Sequence, residues 1–391
     1  MRQSVLTKTL SPAWLCLLLL TPFCNAEIEA EDQQSQPSRS DYSVSTGLVD
    51  SVPDVREEKS KFKLGSENLV VVPVPVSNPT FGSGLVVAGA YYYPQSEEQK
   101  KAQPPSFTGV GGGYTDNESY AIGVMQQNYW DEDRWRFTAA GGYGDFKLEL
   151  VDPDPSQEGN LAYWLISGYF AQVTLSRRVM ESSWYLGGLV RYLDISQDLD
   201  LNLDLPDYNV ESQIQSPSLG LTIEYDTRDN TTNAYNGLRF DSKILISGQS
   251  GRNVSKYEQY YLRLRGYHQL VSPLVVAWDV NGCTKSGEMP LWDTCRLDLR
   301  GFPVTRYLSK KSLSAQVEAR WNVYKRWGLV AFAGGGIIGN DTTEKFDDDV
   351  IPSYGVGLRF MVMKSQRINI RLDYARSDDN DAWYLGVTEY F

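Results

Sequence analysis

The chain has 391 residues, 41% of them apolar, with a mean hydropathy of −0.38, so it has the composition of a globular protein and not of a helical membrane protein. Its net charge of −12 argues against nucleic acid as a partner, because neutralising phosphates needs a basic surface. A single histidine, His268, leaves nothing for a multi-histidine metal site and almost nothing for Ser-His-Asp or Cys-His chemistry.

Residues 1–26 read as a secretory signal peptide. Arg2 and Lys8 precede a short apolar run from Trp14 to Phe23, and small residues lie around Ala26. The run is too short to span a bilayer. Residues 27–65 are polar, acidic and aperiodic, and are expected to be a disordered tail. Two cysteines remain after the signal, Cys283 and Cys295, and export to an oxidising compartment makes them candidates for a disulfide.

From residue 66 onward the period is two. In Ser353–Met363, Tyr354, Val356, Leu358, Phe360 and Val362 share one face, opposite Gly355, Gly357 and Arg359. Ile368, Ile370, Leu372 and Tyr374 alternate with Arg367, Asn369, Arg371 and Asp373. Val317, Ala319, Trp321 and Val323 alternate with Gln316, Glu318, Arg320 and Asn322. Sixteen such runs predict sixteen strands, each with one apolar and one polar face. Their connections alternate between short turns (271–273, 364–366) and long Asp- and Asn-rich loops (200–211, 288–311, 340–349).

Alternation alone does not say which face meets solvent. A soluble sandwich buries its apolar face, whereas a membrane barrel turns that face to lipid. Four features favour the barrel: the signal peptide, Tyr and Trp at strand ends (Tyr91, Tyr92, Tyr93, Trp130, Trp327, Trp383), the alternation of short and long connections, and a final aromatic run ending in Phe391. The predicted fold is an all-β transmembrane antiparallel barrel over residues 66–391, placed in the bacterial outer membrane.

The segment between the eleventh and twelfth predicted strands contains Leu299-Arg300-Gly301-Phe302, which resembles the (V/I/L)RG(F/Y) signature that the BamA/TamA superfamily carries on its sixth outer loop. Residues 69–93, the YDTRDN turn at 225–230, WGLVAFAGGG at 327–336, SYGVGLRF at 353–360 and INIRLDYA at 368–375 are similar to that superfamily's bacterial surface antigen domain. The resemblance covers nearly all of the chain after residue 68. It implies a barrel whose loop arginine is tucked into the lumen, no cofactor, and action on outer-membrane lipids or on unfolded outer-membrane or secreted proteins.

Two departures qualify it. Residues 27–65 are too few for a POTRA domain, implying a POTRA-less member. The family's thirteenth-strand motif pairs a Phe with an Asp two residues on, and here Phe332 is followed by Gly334. Arg300 therefore needs another acid, with Glu318 and Asp373 as candidates, and Gly334→Asp would be expected to strengthen the loop. Cys283 and Cys295 flank its base.

The inward charges Arg263, Arg265, Arg320, Arg359, Arg371, Glu224, Asp226, Glu318 and Asp373 read as a salt-bridged network stiffening the barrel rather than a selectivity lining. Asp226 and Asp229 read as a turn staple around Arg228, and Asp347, Asp348 and Asp349 as a solvated loop. No catalytic or metal-binding residue is assigned. In the closing strand, Gly386 and Glu389 are expected to weaken lipid-side pairing. Three functions remain open: insertion, translocation or membrane organisation by a superfamily barrel, a passive small-solute channel, and a structural surface antigen.

Overall fold

A computed structural model describes residues 68–391 apart from 152–159, 202–211, 231, 251–254, 340–344, 348, 365–366 and 379. The signal-peptide and tail readings, 1–26 and 27–65, lie outside the described residues.

The strands are β1 (Leu69–Asn78), β2 (Gly82–Tyr92), β3 (Phe107–Thr115), β4 (Tyr120–Trp130), β5 (Trp135–Val151), β6 (Asn160–Arg178), β7 (Trp184–Leu201), β8 (Ser212–Asp226), β9 (Gly237–Gln249), β10 (Ser255–Val271) and β11 (Leu274–Gly287). Then come β12 (Cys295–Arg296), β13 (Leu308–Ser309), β14 (Lys311–Tyr324), β15 (Trp327–Ile338), β16 (Ile351–Met363), β17 (Ile368–Ser377) and β18 (Asn380–Val387). Strands β12 and β13 form a two-residue hairpin inside the long loop. The other sixteen close into one antiparallel barrel in which each strand pairs with its chain neighbour and β1 meets β18. One six-residue helix, Glu97–Ala102, caps the β2–β3 turn behind a Ser96 capping box.

The burial pattern settles which face meets solvent. Leu219 is 67% exposed, Ile122 64% and Val356 59%, while Ser216, Gln259, Glu318 and Asp373 are fully buried. An apolar outside around a polar inside is stable only in lipid, and closure lets neighbouring strands satisfy the backbone without water. Aromatic side chains mark both edges of the apolar band. Near the short turns, Trp184 packs on Tyr225 at 4.8 Å and Trp327 on Phe360 at 4.8 Å. Near the long loops, Tyr143 packs on Tyr169 at 4.8 Å and neighbours Tyr120.

Strands β5, β6 and β7 run 17, 19 and 18 residues, well beyond the roughly 10 needed to cross a bilayer. Their inner face near the long loops is apolar, with Phe146, Leu148, Trp164, Ile166, Phe170, Leu193 and Ile195 buried in one cluster. This wall seats a loop.

One sequence reading is corrected here. The final strand does not run to Phe391 but stops at Val387, and Thr388 takes a φ of 71°. The left-handed residue turns the last residues out of the ladder and into the lumen. There Phe391 is buried with Ala234, Tyr267 and Ala277, and its carbonyl accepts from Arg320 Nη2 at 2.7 Å. Glu389 does not face lipid. It accepts from Arg359 Nε at 2.7 Å and Asn369 Nδ2 at 2.6 Å. Gly386 is buried beside Arg371, where an added Cβ would lie 3.3 Å from the guanidinium.

Candidate functional site: the luminal loop and the β1–β18 seam

The β11–β14 connection folds back into the barrel. At its base Cys283 and Cys295 form a disulfide with a Cα–Cα distance of 5.7 Å. Cys283 is anchored in the β10–β11–β14 sheet and Cys295 in the hairpin, so the bond ties the loop's first turn to the wall.

Between the two cysteines, the loop meets two unlike walls. Leu291 and Trp292 are buried against the apolar inner face of β5–β8. Asp293, beside them, accepts from Arg191 Nη2 at 2.9 Å, Tyr257 OH at 2.7 Å, Gln259 Nε2 at 2.8 Å and Lys285 Nζ at 2.9 Å. Burial pushes the Asp293 carboxyl up, but Arg191 and Lys285 outweigh it and hold it below the usual carboxylate range. Sequence reading missed this anchor. Its only signal was an acid next to a tryptophan in a loop, with Arg191 about 100 residues away.

At the tip, Arg300 is completely buried. Its Nη1 donates to Asp373 Oδ2 at 2.9 Å, and its Nη2 to Glu318 Oε1 at 2.5 Å and Gln316 Oε1 at 3.1 Å. The guanidinium lies 3.4 Å over the Phe332 ring centroid and 4.3 Å from that of Tyr390. Both acids named from the sequence therefore share one arginine. Each has further cations: Glu318 accepts from Arg320 at 2.8 Å, and Asp373 from Arg359 at 2.5 Å and Arg371 at 3.2 Å. A buried guanidinium needs such partners, because leaving it unpaired in a low-dielectric interior is costly.

The rest of the motif holds the backbone in place. Gly301 has a φ of +118°, and an added Cβ would lie 2.8 Å from Ser377 Cβ, so only glycine fits. Its N–H donates to Tyr384 OH at 2.8 Å, and Ser353 Oγ donates to the Arg300 carbonyl at 2.6 Å. Leu299 and Phe302 are buried with Leu297, Tyr307 and Ile351. Further along, Val304 N–H donates to Thr80 Oγ1 at 3.0 Å, tying the loop to the β1–β2 turn.

The expectation for Gly334→Asp is overturned by packing. A Cβ on Gly334 would lie 2.4 Å from the Ala315 carbonyl oxygen and 2.6 Å from Gln316 Cβ. With no side chain at 334, Gln316 on the adjoining strand has room to reach Arg300.

Other inward charges pair among themselves. Arg263 binds Asp279 at 2.8 Å and the loop's Asp298 at 3.2 Å, and Arg265 binds Asp241 at 2.7 Å. Arg228 binds Asp226 at 2.8 Å, while Asp229 binds Arg367 at 2.8 Å. His268 is exposed on β10.

The seam is the second element. Strands β1 and β18 share one register position, Ser77 opposite Leu385. Other neighbours pair along most of their length, as β7 and β8 do from Trp184–Tyr225 to Gln197–Ser212.

Comparison with known proteins follows the same lines. No curated protein sequence matches the chain. Among solved structures it is similar to BamA from Haemophilus ducreyi lacking POTRA domains 1–3, with TM-score 0.57 and 14% identity over 82% of this chain and 70% of that one. It is also similar to CdiB from Escherichia coli, with TM-score 0.54 and 11% identity over 84% of this chain and 64% of the other. For CdiB from Acinetobacter baumannii the values are 0.52 and 11%, over 81% and 59%. This chain thus spans less than two thirds of either CdiB. At these identities the likeness is one of fold. The Omp85 superfamily domain matches residues 106–389, nearly three quarters of the chain. With a lipid-facing barrel and an Arg-Gly loop clamped in its lumen, the chain belongs to the Omp85 superfamily and is a β-barrel of the bacterial outer membrane.

Proposed function

We propose that this barrel handles polypeptide strands at the β1–β18 seam, in insertion into or translocation across the outer membrane, and is not a passive channel. The observation that carries the reading is the contrast between a wall paired along its strands and a seam with one register position. A sixteen-strand barrel is wide enough for an aqueous lumen. Here the 288–310 loop fills the lumen from one end and residues 388–391 enter it from the other. The partners this reading calls for are unfolded outer-membrane or secreted proteins, with outer-membrane lipids bordering the seam. The luminal loop clamps β14 to β17 through Arg300, stiffening the wall next to the seam and leaving the weakest ladder to deform.

The test is a cysteine lock, Ser77→Cys with Leu385→Cys. Oxidation should abolish the complementation of a deletion strain and reduction should restore it, while planar-bilayer recordings of the unlocked protein stay near silent with erratic openings. Large steady openings that survive the lock would establish the channel reading instead.

A further inference from the structure

The geometry points to a basic, aromatic-framed patch on the periplasmic rim, at the β14–β15 and β16–β17 turns, that binds the headgroup of an anionic phospholipid. The assignment needs only the membrane barrel and does not depend on the seam reading.

The short turns of outer-membrane barrels lie on the periplasmic side, and in this chain they carry unlike charges. The β4–β5 turn exposes Asp131, Glu132 and Arg134, and the β6–β7 turn exposes Glu181. The helix in the β2–β3 turn begins with Glu97 and Glu98 before Lys100 and Lys101. In the β8–β9 turn Arg228 is taken by Asp226 and Asp229 by Arg367, and the β10–β11 turn is Ser272 and Pro273. The remaining two turns differ. The β14–β15 turn is Lys325 and Arg326, and Lys364 opens the β16–β17 turn. None of these three is ion-paired with an acid among the described residues.

The two turns are neighbours. Strands β15 and β16 pair at Trp327–Phe360, and Met361 N–H donates to the Arg326 carbonyl at 2.8 Å. Arg326 Nη1 donates to the Val362 carbonyl at 3.2 Å, which places the guanidinium beside the strand that leads into Lys364. Two strand spacings separate the turns, roughly 10 Å. Aromatic rings frame them on the lipid side. The Lys325 ammonium lies 4.9 Å from the Tyr324 ring centroid, and Trp327 packs on Phe360. Toward the bilayer centre, Trp321, Val323, Leu329, Leu358 and Val362 are exposed on the outer face. The cations at the rim thus continue into an apolar face of the kind acyl chains cover.

Lysine and arginine beside tyrosine and tryptophan at one membrane boundary suit a lipid, with the rings in the interface and the cations on a phosphate at the same depth. A soluble acidic protein would meet the cations but leave the apolar face unused. With a net charge of −12 the chain has no general attraction to an anionic surface, so selection among lipids falls to this patch. The patch also lies at the periplasmic end of the strands that Arg300 clamps, β14 through Glu318 and β17 through Asp373. An anionic headgroup held by both turns braces that panel from its other end.

The experiment is native mass spectrometry of the full protein, disulfide intact, released from detergent in the presence of equal amounts of phosphatidylglycerol, phosphatidylethanolamine and phosphatidylcholine. Phosphatidylglycerol adducts should dominate. Lys325→Gln with Lys364→Gln should cut that preference roughly twentyfold, at about fivefold for each basic side chain. Lys325→Arg with Lys364→Arg should keep it. Arg134→Gln with Arg177→Gln, which removes the same charge from the opposite rim, should also keep it. In vesicles, phosphatidylglycerol in place of phosphatidylcholine should raise the temperature of heat-modified migration for the native chain and not for the chain with both lysines replaced by glutamine. No preference for phosphatidylglycerol, or an equal loss in the lysine and arginine pairs, overturns the site. Lipid adducts that stay unselective while a glutamate-rich peptide binds the native chain and not the lysine-to-glutamine pair overturn it in favour of an acidic protein partner.

Discussion

Arg300 and Asp373 are 73 residues apart in the chain and 2.9 Å apart in the lumen, both with no solvent exposure. Their pair joins the tip of the luminal loop to β17, and Glu318 on β14 completes the clamp from the other side. The loop thereby bridges strands that are not neighbours in the barrel. A bridge of this kind resists shear between them, which backbone ladders alone resist only pairwise.

Arg300→Ala is expected to remove that bridge; because Glu318 keeps Arg320 and Asp373 keeps Arg359 and Arg371, the cost should fall below the roughly 3–5 kcal/mol of a buried charge left with no partner. The temperature at which heat-modified migration in gels appears should fall, and protease should gain access near Pro303. Arg300→Lys should recover part of the loss, because an ammonium cannot present the planar fork that reaches two acids at once. Since both acids accept from the same guanidinium, both Glu318→Gln and Asp373→Asn should couple to Arg300→Ala in double-mutant cycles. Coupling to only one of them would show that the second contact contributes nothing to the clamp.

Gly334→Asp and Gly334→Ala should both destabilise the barrel. The added Cβ meets the Ala315 carbonyl at 2.4 Å, which is backbone and cannot swing away. Overpacking of this type costs about 1–3 kcal/mol. An unchanged or raised unfolding temperature for Gly334→Asp would mean that the β14–β15 ladder yields enough to let a third acid reach Arg300.

Acidification tests the second anchor. The folded Asp293 carboxyl is held below its ordinary value, mainly by Arg191 and Lys285 against the opposing effect of burial. Asp298 is likewise held low, by Arg263 and Arg296 against burial. A carboxylate depressed in the folded state contributes stability that is fully present above the unfolded value, near 4, and is lost as pH falls through the folded value. Loop proteolysis near Trp292 should therefore be flat from pH 7 to about pH 5 and should rise below about pH 4. Asp293→Asn should raise cleavage at pH 7 and flatten the response, leaving Arg191 and Lys285 facing each other without a shared anion.

The strand plan was legible because lipid and lumen impose opposite polarities on successive residues. Ser353–Met363 shows it at single-residue resolution, and the structure has β16 at Ile351–Met363. The acids facing Arg300 could be named because period-two parity places Glu318 and Asp373 inward on their strands. That both would be used together was not readable, since parity gives a face and not a distance. The Asp293 anchor was invisible for the same reason, with Arg191, Tyr257 and Lys285 lying on three strands whose inward positions look alike in sequence. The end of β18 was misread because YLGVTEYF keeps its alternation through residues that have left the sheet. Only the left-handed Thr388 marks the exit, and threonine is not a residue that announces a positive φ.

The disulfide offers the last prediction. Cys283 and Cys295 close a ring with a sequence separation of 12, and chain-entropy arguments assign a loop of that size about 3 kcal/mol. The native protein should resist alkylation until reductant is added. Reduction should not release the whole loop, because Asp293 and Arg300 hold it at two further points, one against Arg191 and Lys285 and the other against Glu318 and Asp373. Cys283→Ser with Cys295→Ser should therefore lower the unfolding temperature while leaving protease resistance near Pro303 intact at 25 °C. Combining it with Asp293→Asn should expose Trp292 to cleavage, and combining it with Arg300→Ala should expose Pro303. If the cysteine variant alone renders both sites sensitive, the disulfide is the main restraint on the loop and the two ionic anchors depend on it.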